Sequence, residues 1–239
     1  MAFTLLALAV LQGSPEAQLA KALDEAVPPP SLRAAFHATL STDNGVRRVE
    51  YDPYKSTGQQ FFVTQSYGKD EELDAVVNAW RAEGQADLRL FADDVRSSMG
   101  EGKITRSGDT WDLQFRHQIS PKDGPVDRLI SPLMNGELQL NQTTGHLARI
   151  TYSIDRPFKL DNGTTVSEYR QSYNFGYSWR WGVAYVQSYE MQARGGKWGL
   201  TESRRVKVEL TDISFCLASD ARQVLQSKPA PSRNNVASR

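Results

Sequence analysis

The stretch SYNFGYSWRWGVAYVQSYE, from Ser172 to Glu190, decides the fold because its side chains alternate with the period of a β-strand. Its odd positions from 173 to 189 are aromatic at seven of nine sites, while the even positions are mostly small or polar. One strand of this length would exceed about 50 Å, far beyond the usual length of a strand. We therefore predict two strands, over 165–175 and 183–192, that reverse direction near 176–182.

Both predicted strands are amphipathic, so a register that buries one aromatic face must bury the other beside it. Val183, Tyr185, Tyr189 and Met191 are expected on one face of the second strand, and Trp179 and Trp181 at the rim, near the hairpin tip. The side chains expected to line the buried side are Tyr169, Tyr173, Phe175, Tyr185, Tyr189 and Met191. Tyr and Trp need polar partners when buried, which favours a ligand cavity, although a packed aromatic core is the alternative.

The rest of the chain predicts an antiparallel meander. Strands are predicted over 32–40, Val46–Tyr51 and 59–67, with Thr42–Gly45 as a hairpin turn. From residue 102 onward, short strands alternate with turn signals, which is typical of consecutive antiparallel strands. A meander this long must curl or be covered to protect its edges. We expect a mainly β, α+β fold: a curved antiparallel sheet that forms an incomplete barrel.

Helical spacing interrupts the strands at three places. The first helix is predicted over 15–26, after which three prolines end it. Residues 70–83 form one apolar stripe at i, i+3, i+4 and i+7, with the members Leu73, Val76, Val77 and Trp80. A further helix is predicted over 87–99, with Phe91 on its apolar face. We expect two to three short helices to form a lid over the sheet.

The domain organisation follows from composition. Residues 1–14 begin MAFTLLALAVL, an apolar run too short to span a bilayer and typical of a secretory signal. Residues 15–218 are expected to form a single domain, and 219–239 a polar tail without apolar period. Cys216 is the sole cysteine, which excludes an intramolecular disulfide and predicts a buried, inert thiol.

Charge and motifs narrow the function classes. Lys+Arg and Asp+Glu balance at 28 each, so no global field directs the chain to nucleic acid or an anionic membrane. His37, His117 and His146 lie in different predicted strands, without the spacing of paired metal ligands. The chain contains no G-x-S-x-G motif, and GGKWG at 195–199 lacks the spacing of a phosphate loop. We expect no catalysis, no metal and no cofactor.

Three features resemble the LolA/LolB-like superfamily of periplasmic lipoprotein carriers. FHATL (Phe36–Leu40) matches the family pattern F-x-A-x-[FL], GELQLNQTTGHLARITY at 136–152 resembles its strand-turn-strand pairs, and helices interrupt the meander midway. The resemblance implies an incomplete barrel with a helical lid over an apolar cavity that binds acyl chains. One departure is the absence of the family's Arg-Pro segment, whose Arg restrains the lid; residues 51–61 read YDPYKSTGQQF, with Lys55 as the basic residue.

Two functions are therefore expected as alternatives. The first is an exported periplasmic binding protein, not membrane-spanning, that holds a lipid, a lipoprotein acyl chain or another apolar ligand between sheet and lid. Its partners would be an apolar small molecule or a lipidated protein. The second is an envelope interaction or structural module with a fully packed core, whose exposed Trp179 and Trp181 bind a protein partner.

Overall fold

The computed structural model describes residues 14–56, 58–83, 90–121, 125–160, 163–197 and 200–218. The strands in these ranges are β1 (Leu32–Ser41), β2 (Val46–Tyr51), β3 (Phe61–Tyr67), β4 (Met99–Ser107), β5 (Thr110–His117), β6 (Asn135–Asn141), β7 (Leu147–Ile154), β8 (Phe158–Lys159), β9 (Thr165–Ser178), β10 (Val183–Lys197) and β11 (Leu200–Leu217). The helices are α1 (Pro15–Glu25), α2 (Glu71–Glu83), α3 (Val95–Ser98) and α4 (Pro125–Ile130), and a 3-10 turn (Ser131–Leu133) follows α4.

The described strands form one antiparallel sheet in the order β3-β2-β1-β11-β10-β9-β7-β6-β5-β4, and the short β8 pairs with the start of β9. The first strand pairs with the last, so the N- and C-terminal ends of the meander meet in the middle of the sheet. β3 and β4 are the two edges, and no pairing joins them in the described residues. The predicted fold class, a curved sheet forming an incomplete barrel with short helices, is confirmed.

Local sequence explains the strands on the N-terminal side. Every second residue of β1 is buried, from Leu32 to Leu40, which is the alternation expected of a sheet with one covered face. In the turn to β2, the Thr42 hydroxyl accepts hydrogen bonds from the N–H groups of Asn44 and Gly45, both at 3.1 Å. These two bonds give the N–H groups of the turn a side-chain acceptor in place of a backbone carbonyl, which fixes the hairpin register.

The buried residues form two separate clusters on the covered side of the sheet. One lies over β1, β2 and β11 and is completed by Leu73 and Val77 of α2. The other lies over β5, β6 and β7 and is completed by Ala22 and Leu23 of α1 and by Val95 of α3. Each half of the sheet thus has its own helical cover, and apolar burial drives both arrangements.

The helix predicted over 87–99 is wrong for the described residues of that range. Only Val95–Ser98 is helical there, and residues 90–94 form an irregular segment. The Leu90 carbonyl accepts a hydrogen bond from the Val186 N–H of β10 at 2.7 Å, so it is not available to continue an α-helical ladder. Residues 84–89 lie outside the described ranges. α4 and the 3-10 turn are additional elements that the sequence patterns did not predict.

A register shift in β10 corrects the prediction that four of its side chains share a face. Tyr185 pairs with Gly176, whereas Tyr189 pairs with Tyr173, and one extra residue is accommodated between Val186 and Ser188. Gly176 and Tyr173 are three residues apart on β9 and therefore lie on opposite faces. Within the β9–β10 pair, Tyr185 and Val183 consequently lie on the opposite face from Tyr189 and Met191. Val183 is nevertheless buried in the core cluster over β1, β2 and β11, and Tyr185 packs against that cluster.

The predictions for Cys216 and for the two ends of the chain are tested only in part. Cys216 is partly rather than fully buried, and no disulfide partner exists for it. The apolar stretch at 1–13 and the polar tail at 219–239 lie outside the described residues.

Candidate ligand cavity

A cavity of about 590 Å³ lies between α2, residues 90–94 and the covered face of the sheet. We call it the lid cavity. Its wall on the helix side is Val76, Ala79 and Trp80 of α2, and the irregular segment contributes Leu90 and Phe91. Most of the lining is apolar, and the cavity is open to solvent on one side.

The apolar stripe of α2 serves two purposes. Leu73 and Val77 are buried to 1% and 4% exposure and pack in the core, which anchors the helix. Val76 and Trp80 are only partly buried and line the lid cavity. Successive helical positions are rotated by about 100°, so one broad stripe can face both the core and the adjacent space. All four residues predicted for the lid helix are therefore on its inward side.

The sheet wall of the lid cavity comes from four strands. Tyr173 of β9 and Tyr189 of β10 are direct partners with ring centroids 4.9 Å apart, and Met191 lies next to them. The Gln171 side chain donates a hydrogen bond to the Tyr189 hydroxyl at 3.3 Å, so this phenol oxygen has a polar partner within the protein. The remaining sheet positions of the wall alternate along their strands and are Phe36, Val186, Val206, Val208 and Leu210.

The polar part of the lining consists of Asp93, Asp94 and Arg204. The two carboxylates are partly exposed and Arg204 is exposed, so this part of the lining borders solvent. The Arg204 Nε lies 2.9 Å from Glu72 Oε2 of α2, and this ion pair connects the helix with β11 across the cavity border. An apolar interior with a charged border suits a molecule with an apolar chain and a polar end.

A second cavity, of about 60 Å³, adjoins the first on the side of the other core cluster. We call it the small cavity. Its apolar walls include Met134, Ile150, Tyr152 and Phe175. The residues that line both cavities are Phe91, Asp94, Tyr173 and Val186. The partition between the two spaces is therefore only one layer of side chains thick.

The start of α2 is fastened to the sheet by a buried arginine. Arg47 of β2 is 3% exposed, and its Nε and Nη2 donate to the two oxygens of Asp74 at 2.7 and 3.1 Å. Its Nη1 also donates to the Tyr67 carbonyl at 2.7 Å. The hydrogen bond to Asp74 raises the pKa of Arg47, and the same bond lowers the pKa of Asp74.

Asp70 caps the same helix end. Its Oδ1 accepts a hydrogen bond from the Leu73 N–H at 2.9 Å, and its Oδ2 accepts one from the Thr42 hydroxyl. The bond from Thr42, followed by that from Leu73, lowers the pKa of Asp70. The ion pairs and capping bonds described here all hold the first turn of α2, where Glu72 and Asp74 also lie. Polar contacts thus hold the first turn of the helix, whereas Trp80 near the other end packs against Phe61, with ring centroids 6.4 Å apart, and borders the cavity.

The structure separates the other predicted site residues. Tyr169 packs on the core cluster beside β7, and Phe175 lines only the small cavity. The Tyr185 ring lies over Gly176 and against Phe215, with ring centroids 5.4 Å apart in the second contact, and it lines neither cavity. Trp181 is packed against the core cluster near β1.

Trp179 is the predicted rim residue with the greatest exposure, 75%. It makes edge contacts with Tyr177 and His146, both at 4.9 Å between centroids. His146 is buried, and its Nδ1 lies 2.8 Å from Glu25 Oε2 of α1. These contacts form a structural cluster that fastens α1 to the β9–β10 turn.

Sequence reasoning missed several residues of the site. Val206, Val208 and Leu210 follow a strict period of two within β11, and this alternation was available as a signal. Arg47 gave no signal, because an Arg in an edge-proximal strand is usually exposed. Lys55, the basic residue of the segment 51–61, pairs with Glu50, with 2.8 Å between Nζ and Oε1.

No group of three His, Cys, Asp or Glu side chains is placed to hold a metal ion in the described ranges. Among the helices of the same ranges, none has the length and apolar character needed to cross a bilayer.

Comparison with known proteins finds similarity to solved structures only. No protein-family model and no curated protein matches the chain. Among solved structures, the chain is similar to a LolA superfamily protein from Nitrosomonas europaea, with a TM-score of 0.36 and 9% sequence identity. The alignment covers 84% of this chain and 92% of that one. The matched protein is from the superfamily that the sequence layout resembles, and at this identity the match says nothing about ligand or activity.

Proposed function

We propose that this protein is a non-enzymatic binding protein of the periplasm that holds an acyl chain, from a lipid or a lipidated protein, or another apolar ligand in the lid cavity. One observation carries the proposal: a mostly apolar cavity of about 590 Å³ lies between the sheet and α2 and opens to solvent at a charged border. Pockets that bind small molecules commonly measure about 300–1,000 Å³.

The energetics favour a chain-like ligand. Each methylene group moved from water into an apolar site contributes about 0.8 kcal/mol, so a lining such as Val76, Val206 and Val208 binds an alkyl chain without hydrogen bonds. The polar end of the ligand would remain near Asp93, Asp94 and Arg204, where water is accessible. Binding and release of this kind require no chemical step.

The contacts of α2 would allow the helix to move and admit a ligand to the lid cavity. Arg47, Asp70 and Arg204 hold the first turn of α2, while Trp80 lies at the other end of the helix and lines the cavity. Motion of the Trp80 end around the fixed first turn would widen the cavity without breaking the sheet. The apolar stretch MAFTLLALAVL at the start of the sequence supports export to the periplasm.

The experiment measures displacement of a neutral fluorescent probe, N-phenyl-1-naphthylamine, from the purified full chain by a monoacylglycerol. A neutral probe and competitor avoid repulsion from Asp93 and Asp94. Tyr189→Ala is the test variant and Tyr185→Ala is its matched control. Both are partly buried tyrosines of β10, but only Tyr189 lines the lid cavity.

The expected result is that the wild-type chain binds the probe, the monoacylglycerol displaces it, and Tyr189→Ala changes the affinity at least severalfold. Tyr185→Ala should leave the affinity unchanged as long as circular dichroism shows that the variant is folded. Absence of probe binding by the folded wild-type chain, or equal effects of the two variants, would reject the proposal.

A second candidate function rests on Trp179, whose 75% exposure is unusual for a large aromatic side chain. Exposed tryptophans are frequent at the centres of protein interfaces. In this case the protein would be an envelope interaction module, and Trp179→Ala would abolish partner binding without changing ligand binding. Cross-linking in periplasmic extracts with a photoreactive group at position 179 tests this candidate. The absence of any adduct that depends on Trp179 would reject it.

A further inference from the structure

The partition between the two cavities gives the lid cavity a defined end. Four residues line both spaces, two from the sheet and two from the segment 90–94. Tyr173 and Val186 belong to the paired strands β9 and β10, so their positions are fixed by the hydrogen-bonded sheet. Asp94 is partly exposed and borders the partition on the solvent side. Phe91 is the remaining residue.

Phe91 differs from the two sheet residues because it belongs to the irregular segment 90–94, and from Asp94 of the same segment because its side chain is apolar and buried. It is 8% exposed, and its ring lies 6.1 Å from that of Phe215. The neighbouring Leu90 carbonyl is held by the Val186 N–H at 2.7 Å, which sets the depth at which this segment enters between α2 and β10. The Phe91 ring is therefore a buried side chain placed between two apolar spaces.

We propose that Phe91 closes the inner end of the lid cavity and thereby sets the longest apolar chain that the protein accepts. The inference depends on the proposed function, because it assigns a length limit to the ligand of that cavity. The small cavity beyond the ring is lined by apolar side chains such as Met134, Ile150 and Phe175 and by polar ones such as His117 and Ser131. Its volume of about 60 Å³ accommodates at least two groups of the size of a water molecule or a methylene.

The experiment compares chain-length profiles. Monoacylglycerols from octanoyl to stearoyl displace N-phenyl-1-naphthylamine from the wild-type chain and from Phe91→Ala. Wild-type affinity should rise about fourfold for each added methylene and then reach a plateau once the chain end meets the Phe91 ring. In Phe91→Ala the rise should continue for at least two further methylenes. The longest chains should then bind about fifteenfold tighter than to wild type, with short chains unchanged.

Two additional variants separate a length limit from general loosening of the core. Phe61→Ala is the matched control, since Phe61 is also 8% exposed and lines neither cavity. It should keep the wild-type plateau. Ala92 lines only the small cavity, so Ala92→Val partly fills that space. Added to Phe91→Ala, it should move the plateau back toward the wild-type length.

The outcomes distinguish failure of the length limit from failure of the proposed function. Phe91→Leu replaces Phe91→Ala if the alanine variant does not fold, and the expected extension is then smaller but in the same direction. A folded Phe91 variant with the wild-type plateau, or an equal extension in Phe61→Ala, overturns the inference and leaves the proposed function intact. A wild-type chain that binds no member of the series overturns the proposed function itself.

Discussion

Gly176→Ala should destabilise the protein, and its effect should change sign when Tyr185 is also replaced by Ala. A Cβ atom at position 176 would lie 2.6 Å from Cζ, 2.7 Å from Oη and 2.9 Å from Cε2 of Tyr185. Each of these distances is shorter than van der Waals contact, so the Tyr185 ring must move. The ring also packs against Phe215, which limits where it can go.

The magnitude follows from two opposing terms. Overpacking typically costs about 1–3 kcal/mol. Gly176 does not adopt a positive φ, so an alanine there also restricts the unfolded chain and contributes about 0.4–1 kcal/mol of stability. The net cost of Gly176→Ala should be about 1–2 kcal/mol. Without the Tyr185 ring the clash disappears, and the same substitution should stabilise by about 0.5 kcal/mol.

The assay is urea unfolding of the four chains of a double-mutant cycle, followed by tryptophan fluorescence and by far-UV circular dichroism. Tyr185→Ala alone should cost about 2–3 kcal/mol, below the value for a fully buried aromatic ring, because Tyr185 is only partly buried. The expected coupling between the two sites is about 2 kcal/mol. Additive effects within about 0.5 kcal/mol would show that Tyr185 does not lie over Gly176, and the assignment of the β10 faces would then be wrong.

Three further predictions concern the helices. Arg47→Met should destabilise the protein by about 2 kcal/mol, a value kept low because Asp74 is half exposed to solvent. Hydrogen exchange of the α2 amides should become faster, and an unchanged exchange rate would contradict the prediction. The pKa values of Asp70 and Asp74 are lowered in the folded state, so both carboxylates should stabilise the fold above about pH 4. This contribution should be lost as the pH falls through the folded-state pKa values. Urea unfolding midpoints measured at a series of acidic pH values, for the wild type and for Arg47→Met, check this. Burial, and then Glu25, raises the pKa of Tyr177, so the neutral phenol should stabilise the fold below about pH 10 and lose this contribution at higher pH. Tyr177→Phe should reduce by one the number of phenols that titrate above about pH 10 in the phenolate absorbance, and an unchanged number would refute the assignment.

The helical cover shows where sequence patterns succeed. The apolar stripe of α2 predicted the helix to within one residue, because the 3.6-residue period is a direct consequence of burying one side. The same reasoning failed for residues 90–94, although Phe91, Ala92 and Val95 have helical spacing. These side chains are buried because the segment passes between α2 and the sheet, and its Leu90 carbonyl bonds to β10. Burial on several sides produces an apolar pattern without requiring a helix.

The residues of the candidate site were likewise predicted from the sequence only in part. Tyr173, Tyr189, Met191, Val76, Trp80 and Phe91 were predicted from the sequence and all line the lid cavity. Tyr185 does not, because the extra residue between Val186 and Ser188 reverses the faces of the β10 side chains that precede it. Arg47 was not predicted, since its partner Asp74 is distant in sequence and belongs to another element.

The sequence alone determined the antiparallel meander, the turn between β1 and β2, the amphipathic α2 and the set of aromatic residues available to a site. These properties depend on periodicities and turn residues that act over a few positions along the chain. Only the tertiary structure decided that β1 pairs with β11, that Tyr185 and Tyr189 point to opposite sides, and that Phe91 separates two cavities. Such features depend on how distant segments meet, and a one-residue shift or an unfilled volume leaves no periodic signal in the sequence.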